Sequence, residues 1–120
     1  MVQAPNSEIF NSLIQDHIDL AEICAATLGP HIKEVAQTLI GAIREDQTIF
    51  AFGNGGSAAD SDHLIAELVV RFEAERRPIS AVSLNSNASI LTAIANDYNA
   101  SEIFTRQIEA LGRRLSLIHI

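Results

Sequence analysis

His63 and Glu67 stand four residues apart, with Asp60 three residues ahead of the histidine. On a helix that spacing puts the imidazole and the carboxylate on one face, one turn above the other, with Asp60 on the same side. A His and a carboxylate so placed can fill two positions of a zinc site, and a glutamate near a carbonyl can move a proton. The same pair also occurs as plain solvated helix neighbours, contributing a few tenths of a kcal/mol. Just ahead lies Gly53-Asn54-Gly55-Gly56-Ser57, which holds three of the six glycines of the chain. Glycines let a backbone approach a ligand and adopt positive φ, and a helix N-terminus presents free N–H groups to anions. A phosphosugar suits such a loop. The loop has neither the lysine of a P-loop nor the spacing of a Gly-x-Gly-x-x-Gly fingerprint, so nucleotide readings fail. The plainer alternative is that Ser57 and Asp60 form a Ser-x-x-Asp cap and the glycines only turn the chain. A third candidate is Asn96-Asp97, after the apolar run Ala93-Ile94-Ala95. These side chains either hydrogen-bond sugar hydroxyls or form a polar turn.

The elements that must position these groups follow from periodicity. Residues 48–52 read as a short β-prone run ending at the glycine loop, and residues 57–72 as the helix after it. Leu64, Ile65, Leu68 and Val69 flank the His–Glu pair and predict that this helix is well buried. Residues 79–84 read as a second strand after Pro78. Helical patterning returns over 88–95 and 102–111. Strand, helix, strand, helix implies a parallel sheet with helices on its faces. Ligands in such sheets bind beyond the carboxyl ends of the strands, which is where the glycine loop falls. Ahead of this unit, Ile9, Leu13, Leu20 and Cys24 recur at helical spacing, and Gly29-Pro30 punctuates. Then Ile32, Val35, Ala36, Leu39, Ile40 and Ile43 mark a second stripe. The two stripes predict an antiparallel helical pair whose apolar faces need a partner, a neighbouring subunit being one candidate. The fold class is therefore α/β, a doubly wound parallel sheet preceded by an N-terminal helical pair.

Bulk properties narrow the function classes. The chain has 120 residues, enough for one small domain, and 48% of them are apolar, enough for a core. No apolar run approaches the ~20 residues of a membrane span. The first residues lack the basic-then-apolar pattern of a signal peptide, which points to the cytoplasm. Cys24 is the single cysteine, so no internal disulfide forms, and its apolar surroundings predict a buried structural thiol. The formal charge is −7, with basic residues paired only at Arg76-Arg77 and Arg113-Arg114. Nucleic acid is thus an unsuitable partner, since affinity for it comes largely from phosphate neutralisation. A small anion needs only one local site.

In order along the chain, Gly53-Asn54-Gly55-Gly56-Ser57, His63 and Glu67, Arg71-Phe72, and Leu91-Thr92-Ala93-Ile94-Ala95-Asn96-Asp97 resemble the phosphoheptose isomerases of the sugar isomerase (SIS) family. The resemblance covers about residues 8–112 and is specific in its order and spacing. It implies an SIS-type parallel fold, a homotetramer, and conversion of sedoheptulose 7-phosphate to D-glycero-D-manno-heptose 7-phosphate for the heptose of lipopolysaccharide. It implies that Asn54, Gly55, Gly56, Ser57, Glu67, Asn96 and Asp97 contact substrate. It also implies that His63 and Glu67 ligate zinc, and that Glu67 is catalytic. The reaction it implies is ketose-to-aldose isomerisation through an enediolate, with zinc polarising the carbonyl. The opposing acid–base group in the family is a histidine outside this sequence. Non-catalytic SIS proteins that bind the bacterial replication initiator share the Arg71-Phe72-Glu73 stretch and the Leu91 to Asp97 segment, but lack a glutamate at the position of Glu67. Its presence favours the enzyme. A phosphosugar-sensing module is a third option.

The family pattern breaks after Gly112. There the family continues with an apolar strand, a Ser/Thr-rich phosphate loop, and a Gln and a His that complete the zinc site. On this reading residues 1–46 are the helical pair, residues 47–112 the first half of the SIS domain, and residues 113–120 a non-native tail. Leu115-Ser116-Leu117-Ile118-His119-Ile120 is what CTG TCT CTT ATA CAC ATC encodes, a transposon end used in sequencing libraries. His119 is accordingly not counted as a zinc ligand. Loss of the later strands predicts an unpaired apolar sheet edge and poor solubility.

Overall fold

The computed structural model describes residues 7–113 and 117–119. The chain divides into two units, Met1–Gln37 and Thr38–Ile120. Helix α1 spans Ser7–Thr27 and helix α2 spans Gly29–Arg44, crossing the boundary between the units. Two helices therefore form where two stripes predict them, but not as an antiparallel pair. Their junction is the single residue Leu28, and helical bonding runs through it: Leu28 N–H donates to Cys24 O and Ile32 N–H to Leu28 O, each at 2.9 Å. Reversing a helix takes a connection of about two to five residues. Pro30 has no N–H to give the Ala26 carbonyl, yet the helical bonds on either side of it close. The α1 stripe is consequently unburied, with Ile9 57% and Leu13 62% exposed. Cys24, expected inside, is only half-buried.

The second unit is built on a three-stranded parallel sheet in the order β2-β1-β3, with β1 at Ile49–Ala51, β2 at Ala81–Ser83 and β3 at Leu117–His119. Ile49 is paired with Ala81 on one side and Leu117 on the other. β1 is buried throughout, Phe50 to 1% exposure, as befits a central parallel strand covered on both faces. Three residues of the tail thus pair beside β1, and among the described residues β2 and β3 remain the edges of the sheet. Backbone pairing of this kind is open to any β-prone run, so it gives the segment's place without bearing on its origin.

Helix α3, Gly56–Val69, follows β1 and packs on β1 and β2, burying Ser61 and Ile65. It ends three residues short of the predicted Phe72. The reason is local: the Arg76 guanidinium donates to the carbonyls of Glu67 and Leu68, and Ile79 N–H also bonds to Leu68 O. These contacts satisfy the last-turn carbonyls from outside the helix. Helix α4, Ala88–Asp97, starts where the Asn87 side chain caps the Ile90 N–H at 3.1 Å. The predicted 102–111 helix is split. A 3-10 turn covers Ala100–Glu102, capped by Asn99, and helix α5 covers Thr105–Leu111. Phe50, Phe52 and Leu84 form the core, with Phe104 and Ile108 packed against it. The Phe52 and Phe104 rings lie 4.5 Å apart. Gln107, buried to 6%, ties α5 to the end of β2 by donating to Leu84 O at 3.0 Å.

Candidate active site

The carboxyl end of β1 opens into a cavity of about 540 Å³, within the usual range for small-molecule sites. Phe52, Gly53 and Asn54 wall it from the loop side. Ser57, Asp60, Ser61 and Leu64 line it from α3, and Phe104 closes it. The spacing 57, 60, 61, 64 is one helical stripe, so a single face of α3 forms a whole wall.

The loop owes its shape to two glycines. Gly55 sits at φ 59°, ψ −124°, a combination that L side chains rarely adopt. Gly53 packs so closely on the first turn of α3 that a Cβ there would lie 2.7 Å from Ser57 Cβ and 2.8 Å from Ser57 C. Gly55 is the N-cap of α3, and no side chain caps the helix. The Ser57–Asp60 capping alternative is thus not what forms. Ala58 N–H turns back to Gly55 O at 3.2 Å, which leaves the Gly56 and Ser57 amides as those that could face a ligand or water.

Asn85, one residue past the buried Leu84 at the end of β2, holds the loop from the other side. Its Oδ1 accepts from Gly53 N–H at 2.9 Å, and its Nδ2 donates to Gly53 O at 2.8 Å. The Ser61 hydroxyl lies 3.0 Å from the same Oδ1 and 2.8 Å from Ala58 O, so its one proton is shared between them. Below them the Ser83 hydroxyl donates to the Asp62 carboxylate. Sequence reasoning missed Asn85 and Ser61. The signal for Asn85 was available, since it is a polar residue at the carboxyl end of a predicted strand. Phe104 carried none.

The sequence-singled residues divide into groups. Asn54, Ser57 and Asp60 come together at the cavity. Gly55 and Gly56 are exposed and do not line it. His63 and Glu67 lie further along α3, with Nε2 and Oε1 3.3 Å apart and the side chains 78% and 31% exposed. Glu67 lies seven residues beyond Asp60, about 10 Å along the axis, so a ligand reaching both must run along the helix. The helix itself is less buried than predicted: Leu64 and Val69 are exposed. Asn96 and Asp97 end α4, exposed and bonded to one another at 2.7 Å, and do not line the cavity. For a metal, the His–Glu pair offers two donors of suitable type. Among the described residues no group of three or more His, Cys, Asp or Glu could share an ion. The donors therefore fit half of a zinc site, and zinc chemistry does not follow from them alone.

A parallel α/β unit with a glycine loop and a cavity at its strand ends is an architecture that many small-molecule-binding domains share. The family model described as "SIS domain" matches residues 14–116, and the chain belongs to that family. Among its relatives is a phosphoheptose isomerase of Geotalea daltonii, 47% identical over 106 residues, covering 88% of this chain and 55% of the relative. A phosphoheptose isomerase of Thermodesulfovibrio yellowstonii is 52% identical over 81 residues, or 68% of this chain and 40% of the relative. The solved phosphoheptose isomerase of Francisella tularensis superposes with a TM-score of 0.90 at 28% identity, over 96% of this chain and 60% of that one. That of Neisseria gonorrhoeae gives 0.81 at 33%, over 89% and 55%. The chain thus spans about half the length of the relatives it matches. No described helix is long and apolar enough to cross a membrane.

Proposed function

We propose that this chain is the N-terminal half of a phosphoheptose isomerase, and that its cavity holds sedoheptulose 7-phosphate for conversion to D-glycero-D-manno-heptose 7-phosphate. The observation that carries this reading is the cavity itself. Glycine-shaped backbone, an uncapped helix start and Asn54 converge on one space, and the same helix carries His63 and Glu67 (relatives with this segment bear the isomerase name). In the reaction a C1–H bond of the ketose breaks and its proton goes to a base. The O1 proton passes to O2 through the enediolate, and C2 receives a proton. Glu67 performs one of the two carbon-proton transfers, half-shielded as general acid–base groups are. Asn54 and the first-turn amides of α3 hold and orient the sugar phosphate. Asn96 and Asp97 hold hydroxyls once the ligand or a neighbouring segment draws them in. His63 and Glu67 supply two zinc ligands, and zinc when bound polarises the carbonyl. The other ligands come from outside this chain. The cellular setting is the cytoplasm, the assembly a homotetramer, and the product a precursor of lipopolysaccharide heptose.

The test is an NMR titration of the chain with sedoheptulose 7-phosphate. The amides of Asn54, Gly55, Gly56 and Ser57 should shift together in a saturable manner. Absence of any shift at millimolar ligand sinks the proposal. Glu67 favours the enzyme over an initiator-binding or sensing SIS protein. Turnover by the full-length protein that is lost on Glu67→Gln would settle that choice, and binding without any turnover would reverse it.

A further inference from the structure

The last backbone rung between β1 and β2 is Leu84 N–H to Ala51 O, at 3.0 Å. Beyond it the strands part, yet the next β1-side peptide group is not left open. Both polar groups of Gly53 are taken by one side chain, its N–H by Asn85 Oδ1 and its C=O by Asn85 Nδ2. The carboxamide thus offers the donor and acceptor that a further strand residue would offer. Only one orientation of the amide works, because the flipped one sets Nδ2 against the Gly53 N–H and Oδ1 against the Gly53 carbonyl. The same Oδ1 faces Ser61 on the cavity wall of α3. One half-buried side chain therefore joins the end of β2, the start of the loop and α3.

We infer that Asn85 is a positioning residue for the glycine loop, its carboxamide acting as one extra rung of the sheet that sets the Gly53 peptide and thereby aims Asn54 and the α3 amides into the cavity. The inference rests on the sugar-phosphate reading of that cavity, and it specifies what keeps the cavity formed. The Gly53 backbone runs close to the first turn of α3, where an added Cβ would meet Ser57 at 2.7 Å. A rotation of the Gly53 peptide therefore moves the first turn of α3.

The discriminating variant is Asn85→Asp, nearly equal in shape. Protonated, the new carboxyl accepts from Gly53 N–H and donates O–H to Gly53 O, as the amide does. Ionised, it sets an oxygen against the Gly53 carbonyl with no proton between them. The protonated form is the one the folded loop favours, so the carboxyl's folded pKa is raised above the usual ~3.9. The loop is then held below that value and released as pH rises through it. Asp60 and Asp62 are the carboxylates of α3 nearest this loop, so the wild-type profile is the baseline.

Hydrogen exchange of the Gly53 amide in the 120-residue chain, and affinity for sedoheptulose 7-phosphate, are followed together from about pH 5 to about pH 8. Wild type should protect Gly53 throughout. Asn85→Asp should protect it at the acid end and lose protection about ten-fold or more at the alkaline end, and affinity should fall in step. Asn85→Ala should be unprotected at every pH. A Gly53 amide unprotected in wild type, or protected equally in all three proteins, overturns the inference. So does an affinity that stays constant while Gly53 responds. If wild type binds no sugar phosphate, the functional proposal falls, while the Gly53 exchange still decides whether the carboxamide holds the loop.

Discussion

Replacing Gly53 by alanine tests whether close packing of the loop on α3, and not backbone freedom, makes glycine necessary there. The added Cβ would lie 2.7 Å from Ser57 Cβ and 2.8 Å from both Ser57 C and Ser57 O. Carbon atoms prefer about 3.5–4.0 Å, so roughly 1 Å must be recovered. Two of the three obstacles are backbone atoms, which no rotamer change removes. The first turn of α3 has to move, or the Gly53 peptide must rotate off Asn85. Overpacking of this kind costs about 1–3 kcal/mol. At roughly 4 °C per kcal/mol for a chain of this size, Tm should drop by about 4–12 °C. Gly41→Ala is the internal control. It lies inside α2, exposed, with nothing within 4 Å of a Cβ, so alanine should stabilise by about 0.5–1 kcal/mol. Both variants are measured by urea unfolding, fitted for midpoint and slope, with the amide shifts of residues 53–61 read alongside. A Gly53→Ala protein as stable as wild type, or a loss matched by Gly41→Ala, would refute the reasoning.

Four further outcomes are expected. Gly55→Ala should cost about 1–3 kcal/mol with no steric contact to blame, because φ 59°, ψ −124° is strained for any side chain; an unchanged urea midpoint would contradict this. Gln107→Leu should cost about 1–3 kcal/mol by leaving the Leu84 carbonyl without its donor, visible as a lowered midpoint at unchanged slope. On the proposed isomerase reading, Glu67→Gln in the full-length protein should reduce kcat about 10²–10⁴-fold, and an active variant would remove Glu67 from the proton path. Sequencing the source locus past the Gly112 codon should show the frame departing from residues 113–120, and genomic codons for those residues would show the tail to be native.

The parts of this fold legible from sequence are those that rest on local chemistry. The run from Thr48 to Ser57 combines β-branched and aromatic residues with a glycine cluster, and it folds as strand, loop and helix start. The glycines also located the cavity, because backbone that must approach a ligand has few alternatives to glycine. Long-range polar contacts were not legible. Arg76 ends α3 from eight residues away, and Asn85 meets Gly53 across 32 residues of chain. Neither follows from periodicity, which speaks only of which face is apolar. The antiparallel pairing of α1 and α2 failed for the same reason. Two amphipathic stripes say that two faces seek cover, but the connection decides what covers them, and a one-residue junction bonded helically on both sides cannot fold back.

The division of the candidate site along α3 has a helical cause with a functional consequence. At 100° per residue, Ser57, Asp60, Ser61 and Leu64 fall within one arc of about 100°, which faces the cavity. On the side of Asp60, Glu67 falls about 20° outside that arc and His63 about 60°. Glu67 follows Asp60 by seven residues, and seven residues bring the helix back to within about 20° of the same direction. Asp60 is therefore the hinge between the two groups, bordering the cavity and pointing the same way as Glu67 two turns on. A sugar phosphate held at the loop would reach Glu67 only by lying along this edge of α3.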